Sequence, residues 1–309
     1  MSIVVNGITT KNVVFNGKDV SLVQNQSALT IFKKNVPGIV WTQSNVKYGY
    51  FDGGARYANV IWVACSSSNK GLYYSTDGKS WTRSNVTDVS FSGGARYANG
   101  IWVACSSSNK GLYYSTDGKS WTQSNVTDGS FGGGARYANG IWVACSGKGI
   151  YSSTNGKSWY RIFADDSFSG GARYANGIWV ACGDNKGLYY STDGESWTRS
   201  NVTDGSFSGG ARYANGIWVA CSSTVQTGLY YSTDGKSWTQ SNVTNGLFDG
   251  GARYANGIWV ACSTAGPYYS TDGKSWTQSN VTDVSFSGGA RYANGIWVAG
   301  SNAGPYYSE

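Results

Sequence analysis

The chain predicts an all-β fold, a seven-bladed β-propeller of four-stranded antiparallel blades, and three observations carry that prediction. One phrase recurs along nearly the whole sequence, its arginine falling at Arg56, Arg96, Arg136, Arg173, Arg212, Arg253 and Arg291, at spacings of 37 to 41 residues. Each copy breaks into four short β-type pieces separated by turn residues, with no helical periodicity. Fourteen tryptophans fall into two sets of seven, one of each set per copy. A period of this size marks stacked supersecondary units, none of which buries its apolar face alone.

Within a copy the pieces follow in a fixed order. GGARYA ends in Asn-Gly, a strong hairpin signal because a type I′ turn needs positive φ at both central residues. IWVACS is β-branched and aromatic, and a Ser/Asn/Lys/Gly loop follows it. LYYST leads through Asp-Gly-Lys into SWTQSNV, the fourth strand. The second strands carry Trp62, Trp102, Trp142, Trp179, Trp218, Trp259 and Trp297, and the fourth strands Trp41, Trp81, Trp121, Trp159, Trp197, Trp238 and Trp276. The segment Val40–Val46 is a fourth strand without a preceding copy, and the last copy stops at Tyr306-Tyr307-Ser308-Glu309 before its own. The N-terminal strand is therefore expected to close the last blade, leaving no unpaired edge.

Two domains follow: residues 1–37, a small β-rich docking or assembly module with two Asn-Gly turns, and residues 38–309, the propeller. Charged residues make up only 13% of the chain and the net charge is +7 without a charge run, so nothing points to nucleic acid. No apolar stretch reaches membrane length, and the segment from Met1 to Val5 lacks the regions of a signal peptide. The six cysteines, Cys65, Cys105, Cys145, Cys182, Cys221 and Cys262, share one repeat position. Adjacent sheets pack about 10 Å apart and a disulfide needs Cα atoms within about 7 Å, so these are read as small buried apolar side chains. With no histidine and no CxxC, neither a metal nor any other cofactor is expected.

The third turn carries the motif Ser75-Thr76-Asp77-Gly78-Lys79-Ser80-Trp81, repeated from Ser115, Ser153, Ser191, Ser232 and Ser270, with Asn155 for the aspartate once. It resembles the Asp-box (BNR) repeat of sialidase-like propellers, one residue shorter before the glycine. The resemblance implies a fold element remote from any active site. Sialidase chemistry would need a tyrosine–glutamate pair and an acid/base aspartate breaking the symmetry, yet the only glutamates are Glu195 and Glu309 and no unique pair stands out. The chain is expected not to be an enzyme; a divergent glycan hydrolase is the alternative. The Val4-Val5-Asn6-Gly7 and Val14-Phe15-Asn16-Gly17 echo resembles the starts of tail-fibre and minor structural proteins of phages of Gram-positive hosts.

Candidate binding residues come from two places. The seven arginines sit in the innermost strands, where they would either ring the axis as an anion site or satisfy carbonyls and aspartates between blades; identical use in every copy favours the second. The second loop and the inter-blade segment vary between copies, from Ser-Ser-Ser-Asn-Lys-Gly to Ser-Gly-Lys-Gly, while the opposite face is uniform. Variation confined to one face marks a binding face and selects Tyr48, Tyr50, Thr224 and Gln226 as contacts. The expected function is non-enzymatic attachment to a cell-surface polysaccharide or glycan, on a virion tail or related particle, with residues 1–37 joining other particle proteins. A purely architectural virion role and a cytoplasmic location are the alternatives, and self-association is left open.

Overall fold

The computed structural model describes strands at residues 11–15, 18–25 and 28–33, together with residues 43–46, 50–51, 53–68, 71–224 and 227–308. Two compact units result, Met1–Lys47 and Tyr48–Glu309, the border lying downstream of Pro37-Gly38. The first unit holds one antiparallel meander of Lys11–Phe15, Lys18–Asn25 and Ala28–Lys33. Its register runs from Lys11 opposite Leu22 to Phe15 opposite Lys18, then from Val20 opposite Lys33 to Asn25 opposite Ala28.

The second unit is a succession of seven antiparallel sheets, each strand pairing with the next in the chain. Blade one consists of Ala55–Ala58, Ile61–Cys65, Leu72–Ser75 and Thr82–Arg83, and the five blades after it repeat the four-strand order. Among the described residues blade seven has three strands, Ala290–Ala293, Ile296–Ser301 and Gly304–Ser308. Of the expected closing strand, Val40–Thr42 lie outside the described residues, and Gln43–Val46 carry no strand. Among the described residues there is no helix, hence none long and apolar enough to cross a membrane.

The hairpin between first and second strands forms as its sequence dictates. Asn99 and Gly100 have φ of 48° and 76°, and the pairs from Asn139-Gly140 to Asn294-Gly295 match them. Blade one departs from the rule: Val60 stands where the others have glycine, yet takes φ 57°. A β-branched side chain in the left-handed region is strained, and Val60 is 78% exposed, so its burial offsets nothing. Val60→Gly is expected to raise stability by about 1 kcal/mol, measurable by thermal denaturation; an unchanged or lower melting temperature would contradict the strain.

Packing between blades follows one formula. The second strand of one blade offers Ile61, Val63 and Cys65, and the next blade answers with Ala95, Trp102, Ala104, Tyr113 and Trp121; Phe91 of the connection fills the middle. Equivalent clusters join the later blades. Trp102, Trp142, Trp179, Trp218 and Trp259 are wholly buried, each worth up to about 3 kcal/mol of transfer free energy. All six cysteines are buried free thiols. Burial pushes Cys65, Cys105, Cys182 and Cys221 up to about 12 and Cys262 to about 11, keeping them neutral and unreactive.

The formula breaks between blades six and seven. A cavity of about 400 Å³ opens there, lined by Ile258, Val260, Phe286, Trp297 and Tyr306. These are the counterparts of Ile61, Val63, Phe91, Trp102 and Tyr113, so the cavity occupies the place that Trp121 fills between blades one and two. Among the described residues the last sheet has three strands, so the counterpart of Trp121 in this blade is not among them.

Candidate functional site

The first strands of successive sheets touch one another in order, from Ala55–Ala58 through Ala290–Ala293, and thereby line the inner side of the array. The glycine pair before each strand permits that approach: a Cβ on Gly93 would lie 2.3 Å from the Phe131 carbonyl oxygen and 2.8 Å from the Cys105 Cβ. Each arginine holds the same register, as Arg96 opposite Val103 and Arg136 opposite Val143. Arg96, Arg136, Arg173, Arg212 and Arg253 are half-buried, whereas Arg56 and Arg291, at the two ends of the array, are exposed.

No aspartate among the described residues forms an ion pair with these arginines. Among the described residues the ion pairs are Arg83–Asp88 at 3.8 Å and Lys148–Asp128, and neither involves this set. Each arginine instead donates Nη1–H to the carbonyl of the alanine before it, at 2.8 Å for Arg136, 2.9 Å for Arg253 and Arg291, 3.0 Å for Arg212 and 3.1 Å for Arg96 and Arg173. Arg56 makes the same bond at 3.4 Å. Of the two structural roles expected, carbonyl satisfaction is present, within the strand rather than between blades, and carboxylate pairing is not. Burial holds Arg173 below the ordinary guanidinium range, to about 8, with the charges of Arg136, Arg212 and Arg96 adding to it. Arg136 and Arg253 fall to about 10 for the same two reasons. Arg136 feels the charge of Arg212 and Arg173 that of Arg96, each across an intervening blade, so the arginine charges repel one another along the inner strands.

On the other face, every second loop is tied to the connection that precedes its blade. Ser67 N–H donates to the Tyr50 carbonyl at 2.8 Å, Ser107 to Ser90 at 2.9 Å, Gly147 to Ser130 at 3.2 Å and Asp184 to Ser167 at 2.8 Å. Ser223 to Ser206 at 2.8 Å, Thr264 to Leu247 at 3.1 Å and Asn302 to Ser285 at 3.0 Å complete the seven. The variable loops thus stand on a uniform scaffold. Tyr50 is 73% exposed, and Thr224 is exposed while its Oγ1 accepts from Ser206 N–H at 2.9 Å. Tyr48 and Gln226 lie outside the described residues. Tyr50 and Thr224 stand in the connections and second loops and the arginines in the first strands, so two candidate surfaces result.

The uniform face is held by its own turn. Ser75 Oγ donates to Asp77 Oδ1 at 2.8 Å, and that oxygen accepts Lys79 and Ser80 N–H, both at 2.8 Å; Trp81 Nε1–H reaches the Gly78 carbonyl at 3.2 Å. These bonds hold the Asp77 carboxyl down at about 2. Asn155 makes the same acceptor bonds to Lys157 and Ser158, at 2.8 and 2.9 Å, which is why it replaces aspartate without change of geometry. Lys119, Lys157, Lys236 and Lys274 sit about 6 Å over the rings of Tyr74, Tyr114, Tyr190 and Tyr231. One repeated residue escaped the sequence reading. Asn85 clamps Trp121 of the next blade, donating to its carbonyl at 2.9 Å and accepting its N–H at 2.8 Å, as Asn125, Asn201 and Asn242 do for Trp159, Trp238 and Trp276. Its signal was the unvarying Asn before Val in SNV. Among the described residues no three Cys, Asp or Glu side chains lie close enough to hold a metal.

No family model matches this chain, and no curated protein matches it. Solved structures do. BamB from Moraxella catarrhalis, 11% identical, covers 80% of this chain with 78% of its own at a TM-score of 0.58. YCF48 bound to D1 peptide, 14% identical, covers 84% with 88% of its own at 0.51. Both are propellers of repeated four-stranded blades. The fold is a β-propeller. The computationally designed Ika8 protein, 8% identical, covers 97% of this chain with 96% of its own at 0.62. Identities this low speak for architecture alone.

Proposed function

We propose that this chain is a non-catalytic recognition propeller that attaches to a surface glycan through its loop face, as part of a phage tail or related particle. The observation that carries the reading is the contrast between faces: loops of differing length and sequence rest on one repeated set of backbone bonds, opposite a face of nearly identical turns. Recognition sites elsewhere vary loops on a rigid scaffold in this way. The exposed Tyr50 ring suits stacking on a sugar face, and Ser and Thr hydroxyls in the loops supply adaptable hydrogen bonds. Several weak contacts around the array would combine by avidity. The particle assignment rests on the N-terminal Val-Val-Asn-Gly echo.

Exchange of the Ser222–Thr227 loop for the shorter Ser-Gly-Lys-Gly of blade three is expected to weaken binding to host cell-wall polysaccharide several-fold, while Lys119→Ala leaves it unchanged. Retention on wall material, followed by sedimentation, measures both. The reverse pattern would move the site to the uniform face. A second reading has its own support: one propeller of the same fold is bound to a peptide, and a chain that binds no wall polymer but retains particle proteins would be an architectural component.

A further inference from the structure

We propose that the half-buried arginines Arg96, Arg136, Arg173, Arg212 and Arg253 form an oxyanion-binding site on the inner side of the blades, taking phosphoryl or carboxylate groups of a multivalent ligand. The site is separate from the loop face and stands whether or not that face binds glycan.

Charge without a counter-charge is the first argument. Five guanidinium groups occupy one register position on five adjacent first strands, and no carboxylate among the described residues pairs with any of them. Buried cations are ordinarily paired, because desolvation without a partner is expensive. Arg136, Arg173 and Arg253 also lie within electrostatic reach of other arginines of the row, some two blades away, so that repulsion adds to the cost. An anion among them would relieve both terms together.

Unused hydrogen-bonding capacity is the second. A guanidinium has five N–H donors in a planar fork, and each of these spends one on the carbonyl of its own strand. That single bond orients the fork, and with no other partner among the described residues the remaining donors suit a planar or tetrahedral oxyanion, the geometry for which arginine surpasses lysine. A purely structural arginine would be expected to use its donors between blades; here the blades are joined by Asn85 and its counterparts instead.

The order of burial supplies the third. Arg56 and Arg291, at the ends of the array, are exposed, and the five between them are half-buried, so affinity should centre on Arg136, Arg173 and Arg212.

Titration calorimetry of the full chain with tripolyphosphate and, separately, citrate tests this. Tripolyphosphate is expected to bind saturably, and the affinity to fall at least tenfold in the triple variant R136Q/R173Q/R212Q. Arg173→Lys should retain part of it, since the charge stays but the fork is lost, and Lys119→Gln should change nothing. Citrate binding with the same dependence assigns carboxylates to the site as well; tripolyphosphate alone assigns phosphoryl groups. In the absence of anion the triple variant should melt no lower than the parent, because removing mutual repulsion offsets the lost carbonyl bonds. If that variant fails to fold, the single Arg173→Gln substitution is read in its place. No tripolyphosphate binding by the parent chain, or equal affinity in parent and arginine variants, would overturn the proposal.

Discussion

Replacing Gly111 by alanine is expected to destabilise the propeller by about 3–5 kcal/mol, lowering the melting temperature by roughly 10 °C. Gly111 ends the second loop of blade two with φ 71°, and its N–H donates to the Gly129 carbonyl at 3.2 Å. A Cβ there would lie 1.8 Å from the Val126 carbonyl oxygen and 2.6 Å from its carbon. That carbonyl accepts the Leu112 N–H at 3.1 Å, so the methyl group would part the third strand from the end of the fourth. Gly100→Ala is the matched comparison. It has the same sign of φ, at 76°, and nothing within 4 Å of its Cβ, so only the backbone strain of about 1 kcal/mol applies. Equal losses for the two variants would show that the steric approach at Gly111 does not matter.

The tryptophan of a second strand should show a comparable loss with a different origin. Trp142→Ala is expected to cost about 3–5 kcal/mol, because Trp142 is wholly buried in the blade-two to blade-three cluster with Ile101, Val103, Phe131 and Trp159. Its ring also lies 5.3 Å from that of Tyr137. Trp142→Phe should cost far less, about 1 kcal/mol: the Trp142 Nε1–H is buried without an acceptor, and an unpaired buried donor costs about 1–3 kcal/mol that phenylalanine avoids. Urea denaturation of both variants measures the difference. A phenylalanine variant as unstable as alanine would mean that the indole nitrogen has a partner.

The two candidate surfaces were legible in the sequence to different degrees. Loop variation is visible in the chain itself, and so were Tyr50 and Thr224, because a repeat fixes which segments share a face. The arginines were visible as a set, but their state was not. Identical use in seven copies suggested bonded structural residues, and only the structure shows that no carboxylate among the described residues forms an ion pair with them. The Asn85 clamp shows the same limit: a repeated Asn-Val names a constrained position, and only the neighbouring blade reveals the Trp121 backbone as its partner.

By itself the sequence determined the blade. Period, turn chemistry and β-branched strands act within forty or so residues, so local physics fixes four strands, the Asn-Gly hairpin and the Ser-Thr-Asp-Gly turn. It also fixed that seven copies must stack, since a single sheet leaves Ile61, Val63 and Trp62 without cover. The tertiary structure decided what depends on neighbours in space: which carbonyl stops a methyl at Gly111, the cavity between blades six and seven, and the row of arginines that no carboxylate among the described residues pairs with. The physical reason is range. Strand formation and turns are set by neighbours in the chain, whereas packing volume and electrostatic balance are set by neighbours in space, which a repeated sequence brings together only after its blades have stacked.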